Sequence, residues 1–186
     1  MSKLVELGTK ILNNPEGYDV LGSGCFSTVW VHPEDPTKAI KISSKSNDGG
    51  VMYAFWARAH QDLKGVPVIH EIAQVQDSAV GPTLTFIVMD RYVMTYQEAE
   101  RRDLVPYLGT SLMELVMSSG VSKEYVRDHR DYDALTTSIV SPYWDTLTKI
   151  GQFFKGACTY DLHGENVMLD ANGELYITDP LSFVRS

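Results

Sequence analysis

The sequence predicts an α+β fold, and three observations carry that prediction. The first ninety residues alternate short β-like runs around one helical stretch, in the order β-β-β-α-β-β. From Tyr92 onward the apolar spacing becomes helical. Near the end, two further β-like runs, Asn166–Asp170 and Leu175–Asp179, flank Ala171-Asn172-Gly173-Glu174, whose Asn-Gly pair suits a hairpin turn.

Each element has its own signal. Residues 1–17 read as a short helix stopped by Asn13-Asn14-Pro15. Tyr18–Leu21 and Ser27–His32 have strand character around a glycine-containing loop, and Ala39–Ser43 is a third short strand. Ser44–Gly50 reads as a polar, flexible connection. In Val51–Leu63 the residues Val51, Met52, Phe55, Ala59 and Leu63 fall near helical spacing. Val68–Val75 and Leu84–Met89 are strands separated by a turn at Gly81-Pro82. Helices are expected over Tyr96–Gly109, Ser111–Ser118, Lys123–Ser138 and Tyr143–Lys155. Ser122 and Ser141-Pro142 serve as start signals, and Leu147, Ile150, Phe153 and Phe154 form the apolar stripe of the last helix. The whole reads as one domain, with a sheet-rich part over 1–90 and a reduced helical part over 91–186.

Composition narrows the class. With 44% hydrophobic and 22% charged residues in 186, the chain has the make-up of a globular protein with a substantial core. It contains no apolar run long enough for a membrane span. A net charge of −8 argues against broad binding to a nucleic-acid backbone, while leaving room for a nucleotide held by one loop and one Lys. Cys25 and Cys158 are too few for a disulfide framework, and a reducing cytosol is the expected compartment.

Four motifs carry chemistry. Leu21-Gly22-Ser23-Gly24-Cys25-Phe26-Ser27-Thr28-Val29 lies between two strands, which disfavours a dinucleotide-binding turn, where a helix would follow. Glycines let backbone amides approach phosphates, so Gly22, Ser23, Gly24 and Ser27 are candidate nucleotide contacts. Ser27 stands where a third glycine would be expected. Lys41 sits in the apolar string Ala39-Ile40-Lys41-Ile42, where its ammonium can contact α- and β-phosphates; an edge-strand Lys is the plainer reading. In Tyr160-Asp161-Leu162-His163-Gly164-Glu165-Asn166, Asp161 is placed to take or orient a hydroxyl proton, Asn166 to give an amide oxygen to Mg2+, and His163 to direct a ring N–H at a phosphate. Asp179, in Ile177-Thr178-Asp179-Pro180, would give a carboxylate to the same metal.

The order Gly22/Gly24, Lys41, Asp161, Asn166, Asp179 resembles that of protein kinases, including the Asp-x-x-x-x-Asn spacing of their catalytic loop. A narrower similarity rests on Leu-Gly-Ser-Gly-Cys-Phe-Ser, Tyr-Asp-Leu-His-Gly-Glu-Asn-Val-Met and Tyr-Ile-Thr-Asp-Pro-Leu-Ser-Phe. These strings resemble the early serine/threonine protein kinases of short-tailed bacteriophages that encode a single-subunit RNA polymerase. The resemblance covers most of residues 18–183 and weakens between 92 and 145. It implies a two-lobed protein-kinase-like fold, use of ATP and Mg2+, and phosphorylation of host proteins in the cytoplasm of an infected bacterium. It also implies that Met89 is a gatekeeper, that backbone groups of Asp90 and Tyr92 meet adenine, and that Val29 and Ala39 sandwich the ring. Some members suppress host transcription through a further C-terminal region. No motif here carries that activity over.

Several positions depart from the kinase pattern. Thr159-Tyr160 precede Asp161 in place of His-Arg, and Pro180-Leu181 follow Asp179 in place of Phe-Gly. Only Pro180–Ser186 follow the metal Asp, so activation-loop phosphorylation is not expected as the switch. Val51–Leu63 lacks the Glu that usually aims the strand Lys; His60 falls near its place, and Asp62, Asp179 and, more weakly, Glu71 are the carboxylates weighed for that role. Two alternatives therefore stand beside a kinase: a kinase-like binder that inhibits a host protein, and a small-molecule phosphotransferase. Arg91, Arg101, Arg102, Arg127 and Arg130 read as solvated helix charges, with an acidic substrate as the sharper alternative.

Overall fold

Ser2 opens the first helix, α1 (Lys3–Asn13), by accepting the Val5 N–H on its hydroxyl, a cap that contributes about 1 kcal/mol. Leu4, Val5, Gly8 and Ile11 form its buried stripe. The computed structural model to which this helix belongs describes all residues except 1, 46–47, 77–81, 107, 109, 130–131, 133 and 185–186, and describes no side chain at 127 and 129. The expected turn at Gly81-Pro82 and Arg130 thus fall wholly or partly outside the described residues.

The chain divides into two compact units: Met1–Ala59 with Pro67–Arg91, and His60–Val66 with Tyr92–Ser186. The first contains α1 and the strands β1 (Val20–Ser23), β2 (Ser27–Val31) and β3 (Lys38–Ser43), then helix α2 (Gly49–Ala59) and strands β4 (Ile69–Gln76) and β5 (Thr83–Asp90). The strands form one antiparallel sheet in the order β1-β2-β3-β5-β4. Alternation sorts the side chains of this sheet between its faces. Trp30, Ile40, Ile42, Phe86 and Val88 form a core with Leu4, Val5 and Ile11 of α1. A side chain at Gly8 would collide with the Phe86 ring, so the helix is seated on the sheet through this glycine. The opposite face carries Val29, Ala39, Lys41, Ile87 and Met89, as the register shows.

The second unit contains β6 (Met94–Thr95), helices α3 (Tyr96–Arg101), α4 (Thr110–Ser119), α5 (Lys123–His129), α6 (Ala134–Val140) and α7 (Trp144–Phe154), then strands β7 (Cys158–Tyr160), β8 (Val167–Leu169), β9 (Leu175–Ile177) and β10 (Leu181–Val184). β6, β8 and β9 make one small antiparallel sheet, and β7 pairs with β10. α4 and α7 pack so closely that a side chain at Gly151 would run into the Met117 carbonyl. Leu112, Met113, Val116, Leu147, Ile150 and Phe154 are fully or almost fully buried.

The elements differ from expectation where polar capping competes with apolar spacing. The helix predicted over Val51–Leu63 starts earlier, at Gly49, and stops at Ala59; residues 60–66 instead join the second unit, where Gly65, at φ 79°, accepts the Ile177 N–H on its carbonyl. The helix predicted over Tyr96–Gly109 ends at Arg101, where Asp103 takes a positive φ of 55°. The stretch Lys123–Ser138 is described as α5 and α6, and Ser122 caps the first by accepting the Tyr125 N–H. Ser141–Tyr143 is a short 3-10 turn leading into α7. β6, β7 and β10 were not expected. At two to four residues each they are too short for a periodic signal.

Candidate active site

In the first unit, the candidate phosphate loop is the connection between β1 and β2. Gly22 opposes Val29 and Ser23 opposes Thr28, so the chain reverses over Gly24-Cys25-Phe26. The Gly24 N–H donates to the Ser27 carbonyl at 2.9 Å, and the Ser23 and Thr28 hydroxyls lie 3.2 Å apart. Neither Gly22 nor Gly24 has a positive φ, and a side chain at Gly22 would meet nothing within 4 Å. Internal packing therefore does not require a glycine there.

Lys41 is buried to 7% exposure in β3, the third of four central strand positions whose neighbours are apolar. It opposes Val29 on one side and Ile87 on the other. One register step further, Ala39 opposes Met89. The sheet thus brings Val29, Ala39, Lys41 and Met89 onto one face. At the end of β5, the Asp90 N–H donates to the Val68 carbonyl at 3.1 Å and the Arg91 N–H to the Thr37 carbonyl at 2.9 Å. The Asp90 amide is therefore engaged within the first unit. The Asp90 carboxylate faces His70 Nε2 at 2.6 Å. Tyr92 is buried in the second unit and stacks on Tyr176 with ring centroids 4.6 Å apart.

In the second unit, Asp161, His163, Asn166 and Asp179 converge at one end of the β8–β9 hairpin. The hairpin turn is shaped by Asp170, whose carboxylate accepts the Asn172 and Glu174 N–H groups, and by Gly173 at φ 79°. At the opposite end, the Asn166 carbonyl accepts the Thr178 N–H at 2.9 Å, the Thr178 hydroxyl at 3.0 Å and, more weakly, the Asp179 N–H at 3.4 Å. The Asp161 N–H donates to the Pro180 carbonyl at 2.9 Å. These bonds hold the two motif strings side by side, although ten or more residues separate them along the chain. Gly164 allows the loop to close against α3: its carbonyl accepts the Gln97 N–H at 3.1 Å, and a side chain there would lie 2.9 Å from Gln97 Cβ.

The side chains interlock as well. Asn166 Nδ2 donates to the Asp161 carbonyl at 2.6 Å and lies 3.0 Å from His163 Nε2. His163 Nε2 is 3.8 Å from Asp161 Oδ1, and its Nδ1 faces the Glu165 N–H at 3.3 Å. Asp161 and His163 are about half exposed, at 49% and 48% of their side-chain surface. The His163 ring thus lies beside both motif residues.

Mg2+ fits this donor set. It prefers oxygen ligands and is commonly bound through one or two protein groups, with phosphates and water completing the shell. Asn166 Nδ2 donates to a carbonyl, an orientation that would leave Oδ1 as the oxygen able to meet a cation. Asp179 Oδ1 is buried. Among the described residues no three or more His, Cys, Asp or Glu side chains cluster so as to hold a metal ion.

Two residues that the hydrogen bonds single out escaped the sequence reading. Thr178 ties the Asp179 strand to Asn166. Asp48, read as part of a flexible polar stretch, is buried at 3% exposure directly before α2, where its carboxylate accepts the Gly50 N–H at 2.8 Å. An Asp immediately before Gly-Gly and a run of apolar residues is a helix-start signal that would have found it. His60 and Asp62 lie beyond the end of α2. Both cysteines are free thiols, Cys25 exposed and Cys158 buried. Among the described residues no helix is long and apolar enough to cross a membrane.

The first unit thus carries the glycine hairpin and Lys41, and the second carries Asp161, Asn166 and Asp179. The chain matches the family described as Bacteriophage T7 protein kinase 0.7 over residues 8–186, nearly its whole length, and belongs to that family of phage protein kinases. No curated protein matches it.

Proposed function

We propose that the protein transfers the γ-phosphoryl group of ATP, with Mg2+, to a serine or threonine hydroxyl of host bacterial proteins early in infection, in the bacterial cytoplasm. The observation that carries this reading is the lock between Asp161, Asn166 and the Thr178-Asp179 backbone. It gathers a solvent-facing carboxylate, an oriented amide oxygen and a second carboxylate. The family membership supports phosphoryl transfer to protein; the Ser/Thr choice, the metal and the host substrates rest on the resemblance and the donor set.

In this reading the substrate hydroxyl oxygen forms the new P–O bond, the bond from the γ-phosphorus to the ADP oxygen breaks, and ADP leaves with the electron pair. Asp161 orients the hydroxyl and receives its proton. Lys41 and the Gly22–Ser27 amides hold the phosphates, Val29, Ala39 and Met89 contact the adenine ring, and backbone groups of Asp90 and Tyr92 meet its edge. Asn166 and Asp179 would hold Mg2+, which would supply neutralisation of phosphate charge. The rest of the catalysis is positioning and charge stabilisation. His163 keeps Asp161 and Asn166 in register.

The test is γ-labelled ATP with a bacterial lysate and the purified protein, followed by identification of the labelled residues. Label on serine and threonine of host proteins, dependent on Mg2+ and lost in Asp161→Ala, is the expected result. Equal labelling by Asp161→Ala would remove that residue's role. Label on a small molecule alone would move the protein to the small-molecule phosphotransferases.

A further inference from the structure

On the Lys41 face of the first unit's sheet, a polar row crosses four strands. Ser27 opposes Ser43, Ser43 opposes Thr85, and Thr85 opposes Gln74. The row lies one alternation step from Lys41, roughly 7 Å along β3. Ser43 is completely buried and Thr85 is at 3% exposure. The Ser43 hydroxyl donates to Asp48 Oδ2 at 2.7 Å and also lies 3.2 Å from the carbonyl of Phe26, in the glycine hairpin. The other oxygen of Asp48 accepts the Gly50 N–H in the first turn of α2. One buried hydroxyl and one buried carboxylate therefore connect the glycine hairpin, the strand that carries Lys41 and the start of α2.

A helix cap alone does not require this arrangement. The Gly50 N–H uses one carboxylate oxygen, and an exposed Asp would serve as well. Burying the second oxygen is costly unless it is bonded, and Ser43 bonds it. The hydroxyl has one proton and two acceptors in reach. The shorter bond to the charged acceptor dominates, and the Phe26 carbonyl is the alternative acceptor.

We propose that Ser43 and Asp48 are positioning residues for nucleotide: together they hold the base of the glycine hairpin against β3 and α2, so that the hairpin amides and Lys41 stay aimed at the same phosphates. This rests on the kinase reading above. It assigns to the segment before α2 a part in organising the Lys41 region, where the sequence of α2 offers no carboxylate.

Two measurements test it. Ser43→Ala cuts the tether and leaves the Gly50 cap. Asp48→Asn keeps an oxygen for Gly50 N–H and places an amide N–H where it can donate to Ser43, freeing that hydroxyl for the Phe26 carbonyl. In the full chain, Ser43→Ala is expected to raise the KM for Mg-ATP about tenfold with kcat changed much less, and to speed amide exchange at residues 22–28 about tenfold. Asp48→Asn, which weakens the charged tether and keeps the Gly50 cap, is expected to move both in the same direction by a smaller factor, about threefold. If alanine prevents folding, Ser43→Cys, similar in size and a weak donor, takes its place. Unchanged exchange in the hairpin overturns the tether. Faster exchange with an unchanged KM overturns the positioning role and leaves an ordinary core hydrogen bond. Should the parent protein transfer no phosphate, the kinase reading fails; equilibrium binding of Mg-ATP then replaces KM, and the same two outcomes decide the tether.

Discussion

The two units hold their candidate site residues by opposite means. In the first, Lys41 is buried in a central strand and its position follows from sheet register, with a paired strand on each side. In the second, Asp161 and His163 are half exposed, and a network of loop hydrogen bonds through Asn166 and Thr178 holds them. Register makes a position tolerant of local change but sensitive to the core. A hydrogen-bonded loop is the reverse: its side chains can be exchanged cheaply for stability and expensively for chemistry.

The largest effect should expose that contrast. Asp161→Ala is expected to lower the transfer rate about a thousandfold, within the range of a lost proton-accepting group, while the melting temperature stays within about 1 °C. Lys41→Met is expected to lower transfer by about a hundredfold and also to shift stability measurably, because a buried side chain is replaced. Initial rates and thermal unfolding of both variants check the pair. If Asp161→Ala unfolds the protein, or Lys41→Met leaves both quantities unchanged, the contrast between loop-held and register-held residues is broken.

Two glycines separate the units by stability. Gly151→Ala forces a methyl group against the Met117 backbone, which cannot rotate away, and α4 must part from α7. About 3 kcal/mol or more of destabilisation is expected. Gly8→Ala meets only the Phe86 ring, a side chain that can shift, and about 2 kcal/mol is expected. Hydrogen exchange should localise the first loss to residues 92–184 and the second to α1 and its sheet. Gly164→Ala sits nearer the chemistry: its methyl would press on Gln97 Cβ and Cα, and α3 must give by a few tenths of an ångström. About 1 kcal/mol of stability and a severalfold loss of transfer rate are expected, since the loop that carries Asp161 and Asn166 shifts with it.

The sheet of the first unit was legible in the sequence because its strands alternate and its turns contain Gly or Pro. Val20–Ser23, Ser27–Val31, Lys38–Ser43 and Thr83–Asp90 fall within two residues or so of where the pattern put them. The convergence of Asp161, Asn166 and Asp179 was legible through spacing, with the Asn172-Gly173 turn between the two runs. What was not legible depends on contacts between distant residues. Nothing local marks β7 and β10 as partners, and they exist because the Asp161 N–H and the Pro180 carbonyl meet. Asp48 looked like loop because burial of a carboxylate depends on Ser43, five residues away on another element. The early end of α2 reflects residues 60–66, which bond to β9 through Gly65 and, through Lys64, reach the Thr146 hydroxyl on α7.

The smallest effect expected is a pH dependence confined to the second unit. Tyr96, at the start of α3 beside the Gly164 contact, is buried and donates its hydroxyl to the Pro106 carbonyl at 2.9 Å. Burial, helped by the negative charge of Glu100, pushes its phenol up to about 12, against an ordinary value near 10. The sign follows from proton counting. Below about pH 10 both folded and unfolded chains keep the proton, and the group adds no pH dependence. Between about 10 and 12 the unfolded chain releases it while the folded chain holds it, so stability falls as pH rises, by about 1 kcal/mol at pH 11. Tyr96→Phe is expected to cost about 1 kcal/mol at neutral pH for the lost hydrogen bond, yet to flatten this alkaline decline. Chemical unfolding at pH 8 and pH 11 for both proteins isolates the term, because other tyrosines, Tyr143 among them, titrate in both. A parallel decline in the two proteins would mean that Tyr96 is not the group that couples this part of the second unit to pH.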